Sequence, residues 1–360
     1  MEKLYWNNDW KFAETWEEAM KEAVYPENEM EDVRLPHTCK ELPYHYFDEH
    51  AYQMLCGYRR HFMAPEAWRG KSVELTFEGV AHDAVVYVNG TEVKAHHCGY
   101  TAFFVELAKY LKYGEDNVLA VRVDSRENLN IPPFGYAIDY MTFGGIYREV
   151  YVQVRNKTHL ADVFVKPQIH PLQVTTEITV QNISDGITLQ QEIRKKGEGA
   201  YSPLGQKPVK QTNVQTVFPV QEICLWEPEN PHLYEIRTSL WKNGEMIDAR
   251  VDITGFREAG FRKDGFYLNG KKLRLRGLNR HQSYPYVGYA APASMQIFDA
   301  DILKKELGVN AVRTSHYPQS QDFIRRCDEI GLLVFTEFPG WQHIGDEEWK
   351  RQAVQNLKEM

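Results

Sequence analysis

The stretch NAVRTSHYPQSQDFIRRCDEIGLLVFTE, residues 310–337, decides the architecture. An apolar run from Asn310 to Thr314 leads into a polar loop, then an amphipathic span from Ser320 to Ile330, then a second apolar run from Leu332 to Glu337. Short apolar runs suit buried strands, and the 3.6-residue period between them suits a helix. Strand, helix, strand at this spacing implies a parallel crossover, because parallel neighbours must be joined over the face of the sheet. The same rhythm flanks it: Lys272 to Gly277 reads as a strand, Ser294 to Leu307 as a helix, and Asp346 to Met360 as a third helix. Three βα units open either a doubly wound sheet or a TIM (β/α)8 barrel, and a barrel takes eight strands and roughly 200–250 residues. Only 105 residues follow Gly255, so the barrel is expected to be incomplete, with the sequence stopping inside its third helix.

Upstream, the hydrophobic period shortens to two. Val73 to Phe77 and Ala84 to Val88 alternate, the latter running into Asn89-Gly90, a hairpin signal because both central residues of a type I′ turn need positive φ. Further strands are expected at Phe103 to Val105, Val118 to Val123 and Glu149 to Val154. Many short strands with little helix make a jelly-roll sandwich, placed at residues 1–156. A second β segment, 157–255, has an alternating Val174 to Val180 and a hairpin of Leu233 to Trp241 with Ala249 to Ile253 across Asn243-Gly244. Its size and strand count fit an immunoglobulin-like sandwich, with Lys195 to Gln211 expected as a solvated loop. The barrel segment is 256–360. Three domains agree with the length of 360 residues, since single cores stop growing near 250–300 residues.

Composition excludes several functions. The net charge is −8 and no Lys/Arg block stands out, so neither nucleic acid nor a membrane surface is an expected partner. No apolar stretch approaches the ~18 residues that span a bilayer, and the first ten residues do not read as a secretory signal. The five cysteines are scattered without a C-x-x-C pair, which argues against a disulfide framework or zinc and for the reducing cytoplasm. Aromatics reach 13%, enough to build β cores and also to offer flat faces on which sugar rings stack.

In parallel βα folds ligands meet the C-terminal strand ends. That singles out three loops: Arg276 to His281, Arg313 to Pro318, and Glu337 to His343. They bring Asn279, His281, Arg313, His316, Glu337, Trp341 and His343, which are hydroxyl-binding groups beside aromatics and together compose a sugar pocket. A plainer reading makes Arg276 and Arg313 structural partners of Glu337 or Asp301, the histidines satisfied loop residues and Trp341 a lid on the core. The two histidines with Glu337 match no compact metal motif.

The strings R-G-L-N-R-H (276–281), R-T-S-H-Y-P (313–318) and G-L-L-V-F-T-E-F-P-G-W (331–341) closely resemble glycoside hydrolase family 2. Upstream, G-G-I-Y-R-E-V (144–150) resembles the end of that family's sugar-binding, galactose-binding-like jelly roll, and Leu225-Trp226-Glu227-Pro228 its immunoglobulin-like junction strand. The resemblance implies a retaining exo-β-glycosidase, most like a β-galactosidase, taking a β-glycoside or oligosaccharide substrate. It implies that Asp139 reaches from the jelly roll to a sugar hydroxyl and that His281 and His316 contact the sugar. It also implies sodium or magnesium near the pocket, while the open parallel edge left by three βα units implies either association into a homo-oligomer or packing of the segment on the sandwiches. Gln282-Ser283-Tyr284-Pro285 departs from the family's usual continuation. The family's acid/base and nucleophile glutamates sit on the fourth and seventh barrel strands, which these residues do not include. The chain alone is therefore expected to be inactive. A non-catalytic carbohydrate-binding protein, or a truncated gene product, is the alternative reading.

Overall fold

The computed structural model describes residues 3–45, 48–135, 138, 140–340 and 342–360. Its first part is a sandwich of two antiparallel sheets. One has the strand order Glu31–Val33, Trp10–Ala13, Leu55–Met63, Asp116–Asp124, Asp83–Val88, Thr91–His96; the other runs Leu4–Tyr5, Val150–Arg155, Ser72–Phe77, Phe103–Glu106. Alternation along these strands sends Leu75, Phe77, Val86, Val88, Leu119 and Val121 into one buried cluster. Burying such a side chain contributes about 1.5–3 kcal/mol. The Asn89-Gly90 turn has φ of 50° and 84°, the backbone a two-residue hairpin requires. The same cluster continues into Tyr289, Ala290 and Tyr317, so the sandwich core is fused to the loops of the following parallel sheet.

The second sandwich packs His159–Ile169, Leu172–Gln181 and Asn213–Pro219 against Ser202–Pro208, Ile187–Lys195, Tyr234–Lys242 and Glu245–Thr254. Residues 195–211, expected as a loop, instead contribute the edge strand Ser202–Pro208, paired with Ile187–Lys195 from Thr188 opposite Pro208 to Ile193 opposite Ser202. Most of its side chains face solvent, so pairing is carried by the backbone and leaves no alternating pattern to read.

Then the period changes. A small hairpin sheet, Ala259–Arg262, Gly265–Leu268 and Lys271–Lys272, precedes three parallel strands, Gly277–Asn279, Ala311–Thr314 and Leu333–Thr336. The expected strand from Lys272 to Gly277 is corrected on this point: Leu273 N still donates to Phe266 O of the hairpin, and parallel pairing begins only at Gly277. The first helix, Ala293–Asp301, relaxes into a π turn over Ile302–Glu306. The second, Gln321–Ile330, starts on a Ser320 cap and ends at Gly331, whose φ of 76° is the left-handed stop that glycine supplies. The third, Glu347–Glu359, is capped by Asp346. No helix among the described residues is long and apolar enough to cross a membrane.

Two joints fix the sandwiches to this α/β segment. In the junction strand, Trp226 is 1% exposed and its indole Nε1 donates to Asp328 O at 2.8 Å. Lys304 Nζ donates to both Pro228 O and Gly331 O at 2.9 Å, tying that strand to the end of the second helix. At the other joint, Gly145 has φ of 120° and a Cβ there would meet His37 O at 2.5 Å, so only glycine lets the Gly144–Val150 strip lie this close. Tyr147 and Arg148 then point into the seam with the parallel sheet.

Candidate active site

The parallel strands place the chemistry. Register pairs Asn279 with Arg313 and Arg313 with Phe335, so the strand ends stand side by side and their loops leave on one edge. Arg313 is the penultimate residue of the second strand, with its guanidinium toward the third. Its Nε donates to Glu337 Oε1, and its Nη2 lies 3.2 Å from His316 Nδ1. His316 Nδ1 is also 2.9 Å from Glu337 Oε2. Glu337 is thus gripped on both oxygens, by Arg313 on one and His316 on the other. His316 is nearly buried while Arg313 is 41% exposed, so the cation reaches the open side of the cluster.

An aromatic box surrounds the imidazoles. The His281 and His316 rings meet edge-on at 5.5 Å, and Tyr140 lies 5.3 Å from His281 and 5.7 Å from His316. Tyr317 completes it, its Oη 3.2 Å from His281 Nδ1 and its ring 5.5 Å from that of Tyr140. Burial pushes the Tyr317 hydroxyl well above the usual phenol range, so it is a neutral hydrogen-bonding group. Tyr140 comes from the jelly-roll loop between Asp116–Asp124 and Val150–Arg155, and the box therefore draws on two domains.

Beneath it runs a second buried network. Arg280, 6% exposed, donates through Nε to Asp299 at 2.8 Å and through Nη2 to Gln296 at 2.8 Å, while its Nη1 binds Gln319. Gln319 returns a bond to Arg280 O at 2.7 Å, and Tyr284 donates to the other Asp299 oxygen. A charge this deep is stable only when every arm is matched.

The sequence-derived candidates divide accordingly. His281, Arg313, His316 and Glu337 converge. Asn279 is exposed at the end of the first strand, one strand away from Arg313. His343 is not part of the box; it packs against Gly135 and lies edge-on to Trp349 at 6.0 Å. Asp139 and Trp341 lie outside the described residues. Of the structural partners considered, Arg313 does pair with Glu337, whereas Arg276 is exposed and Asp301 is taken by Arg326 and Lys305. Missed by sequence reasoning were Tyr140, Tyr317, Arg280 and Arg148. All four lie in or beside quoted motifs, but Tyr140, Tyr317 and Arg148 meet partners more than a hundred residues away, and Arg280 meets partners on other elements 16 to 39 residues on, which nothing local reveals.

A cavity of about 510 Å³ lies between the small hairpin and the third strand, lined by apolar Phe261, Phe266 and Phe335 and by polar Arg257, Gln319 and Asp328. None of His281, Arg313, His316 and Glu337 lines it. A hard cation such as sodium or magnesium wants several oxygens at once. Glu337 already commits both of its own, and no group of three metal-binding side chains occurs among the described residues. These residues do not fit such an ion.

Comparison with known proteins agrees with this architecture in all three segments. The chain matches "Glycosyl hydrolases family 2, sugar binding domain" over residues 10–155, "Glycosyl hydrolases family 2" over 158–257 and "Glycosyl hydrolases family 2, TIM barrel domain" over 260–358. It is 46% identical to a β-galactosidase of Thermoanaerobacter pseudethanolicus, covering 99% of this chain and 49% of that protein. It is 44% identical to a β-galactosidase of Thermoanaerobacterium thermosulfurigenes, covering 98% and 51%. Among solved structures, Bacteroides uniformis β-glucuronidase 2, covalently bound to cyclophellitol-6-carboxylate aziridine, superposes with a TM-score of 0.91 at 28% identity over 99% of this chain and 45% of that one. The chain spans about half the length of the curated relatives it matches. With a jelly roll, an immunoglobulin-like sandwich and parallel βα units each matched in order, the chain belongs to glycoside hydrolase family 2.

Proposed function

We propose that this chain serves a retaining exo-β-glycosidase acting on β-galactosides, and that its 360 residues supply sugar-contacting groups without the pair of carboxyls that cleaves the bond. The observation that carries this is the cluster at the parallel strand ends, where His281, His316 and Arg313 gather around Glu337 under Tyr140 from the neighbouring domain. In this reading His281, His316, Asn279 and the exposed side of Arg313 hold sugar hydroxyls. Asp139 joins them from the jelly roll, and Trp341 offers a flat face to the ring. Glu337 fixes the tautomer of His316, and His343 supports the rim through Trp349.

Retaining hydrolysis needs two carboxyl groups about 5–5.5 Å apart, one as acid/base and one as nucleophile. Glu337 is the carboxylate that follows a parallel strand among the described residues, and both its oxygens are engaged. It cannot play both parts. Galactosides are preferred to glucuronides on the strength of the 46% and 44% identities to β-galactosidases, against 28% to the glucuronidase structure. Five unpaired thiols support a cytoplasmic setting.

The test is calorimetric titration of the chain with aryl β-thiogalactoside, thioglucuronide and thiomannoside, alongside hydrolysis assays on the matching aryl β-glycosides. Galactoside binding without turnover is expected. Tighter binding of the glucuronide overturns the substrate, and turnover above background overturns the inactivity.

A further inference from the structure

Arg148 belongs to the jelly roll but spends half of its guanidinium on the parallel sheet's loops. Within its own domain, Nη1 donates to Tyr100 O at 3.1 Å and Glu78 O at 3.3 Å. Across the seam, Nη2 donates to Gln282 Oε1 at 3.1 Å and Pro318 O at 2.9 Å. The side chain is largely buried, and no carboxylate pairs with it among the described residues. The cation is held by four carbonyl or amide oxygens on its two terminal nitrogens and lies 5.1 Å over the Tyr147 ring, while its buried Nε has no hydrogen-bond partner, so the two terminal arms carry the placement.

What the fork touches is informative. Gln282 directly follows His281, and Pro318 stands two residues after His316. A single guanidinium therefore ties down both histidine-bearing loops. A second tie runs parallel to it: the Tyr100 ring stacks on Tyr317 at 4.3 Å with 9° between planes, and Tyr317 Oη reaches His281 Nδ1. Tyr100 and Arg148 are themselves linked through Tyr100 O.

We propose that Arg148 and Tyr100 are positioning residues that set the imidazoles of His281 and His316 from the neighbouring domain, so that the jelly roll tunes the sugar pocket without touching sugar. The inference rests on the reading of those two histidines as sugar contacts. It also explains why Gln282, a departure from the usual continuation of the motif, is fully buried: its amide oxygen is the barrel-side receptor for the fork.

The experiment records ¹⁵N imidazole spectra of the chain as a function of pH, with calorimetric titration by isopropyl β-D-thiogalactoside, for Arg148→Met, Arg148→Lys, Gln282→Leu and Tyr100→Leu. In Arg148→Met the imidazole signals of His281 and His316 move while those of the remote His61 and His159 stay, and galactoside affinity falls roughly tenfold, the scale of a lost charged hydrogen bond. Arg148→Lys, which keeps the charge but not the fork, recovers affinity only in part. If Arg148→Met lowers the melting temperature yet leaves both imidazoles and the affinity unmoved, Arg148 is only a bolt between domains and the proposal fails. Should that variant not fold, Gln282→Leu removes the receptor while keeping the cation and gives the same two outcomes. A wild-type chain that binds no galactoside at millimolar concentration refutes the proposed function, and the imidazole spectra still decide the positioning role.

Discussion

His82 and His37 are held near pKa 4, in both cases by burial, with the Thr142 carbonyl pulling His82 partly back. In the unfolded chain each takes up its proton near 6.5. Between those two values the unfolded state binds more protons than the folded one, so stability falls as pH drops from about 6.5 to about 4. Glu359 acts in the next window. Burial raises its pKa, but hydrogen bonds from His96, Gln355 and Thr101 outweigh burial and bring it to about 2. Its contribution is complete above the ordinary carboxylate range and is lost as pH falls toward 2. Urea midpoints should therefore drop steadily from pH 7 to pH 4.5, with His82 alone contributing up to about 3 kcal/mol; a flat profile over that range contradicts the assignment. At the cluster, Glu337→Gln should cost less than about 1 kcal/mol of stability, because its ion pair with Arg313 is half exposed. It should weaken galactoside binding severalfold by releasing His316 and Arg313. Unchanged affinity in the titration argues that the cluster is structural.

Gly331 shows how an element ends and a joint begins at one residue. It stops the second helix in the left-handed region, and a Cβ there would meet Pro228 O at 2.1 Å. Gly331→Ala should cost more than the ~1 kcal/mol of a positive-φ position alone, because the junction strand must also retreat. Differential scanning calorimetry showing no loss of melting temperature refutes this. The helices and the second and third parallel strands were readable because their caps and apolar runs are local: Ser320, Gly331 and Asp346 each sit where the end of the run predicts. The strand at Ser202–Pro208 was not readable, since an exposed edge rich in Gly, Pro and Lys carries no hydrophobic period. The first parallel strand misled for a different reason. Lys272 to Arg276 alternates as a strand should, yet Leu273 bonds back to the hairpin, and backbone pairing shifts to the parallel sheet only at Gly277.

Taken whole, the molecule is two sandwiches locked to three parallel βα units. The outer strands of that parallel sheet, Gly277–Asn279 and Leu333–Thr336, each pair on one side only among the described residues. Phe261 is 71% exposed nearby, and Val354 and Leu357 face outward on the third helix. An open parallel edge beside apolar surface invites pairing, so light scattering should show the average mass climbing above that of a monomer as concentration rises; a monomer at every concentration defeats this expectation. The motifs in all three segments made the order of domains and the three candidate loops legible. The seam was not legible, because Arg148 meets Gln282 and Pro318 across 134 and 170 positions of chain. No window of sequence spans such a contact. The seam also has an optical consequence. Tyr100 and Tyr317, one phenol from each domain, are fixed in a chiral stack, and such a pair contributes to near-ultraviolet circular dichroism only while it is rigid. Undocking the domains would erase that band with the far-ultraviolet spectrum intact, which gives the molecule a built-in, label-free gauge of whether its halves are engaged.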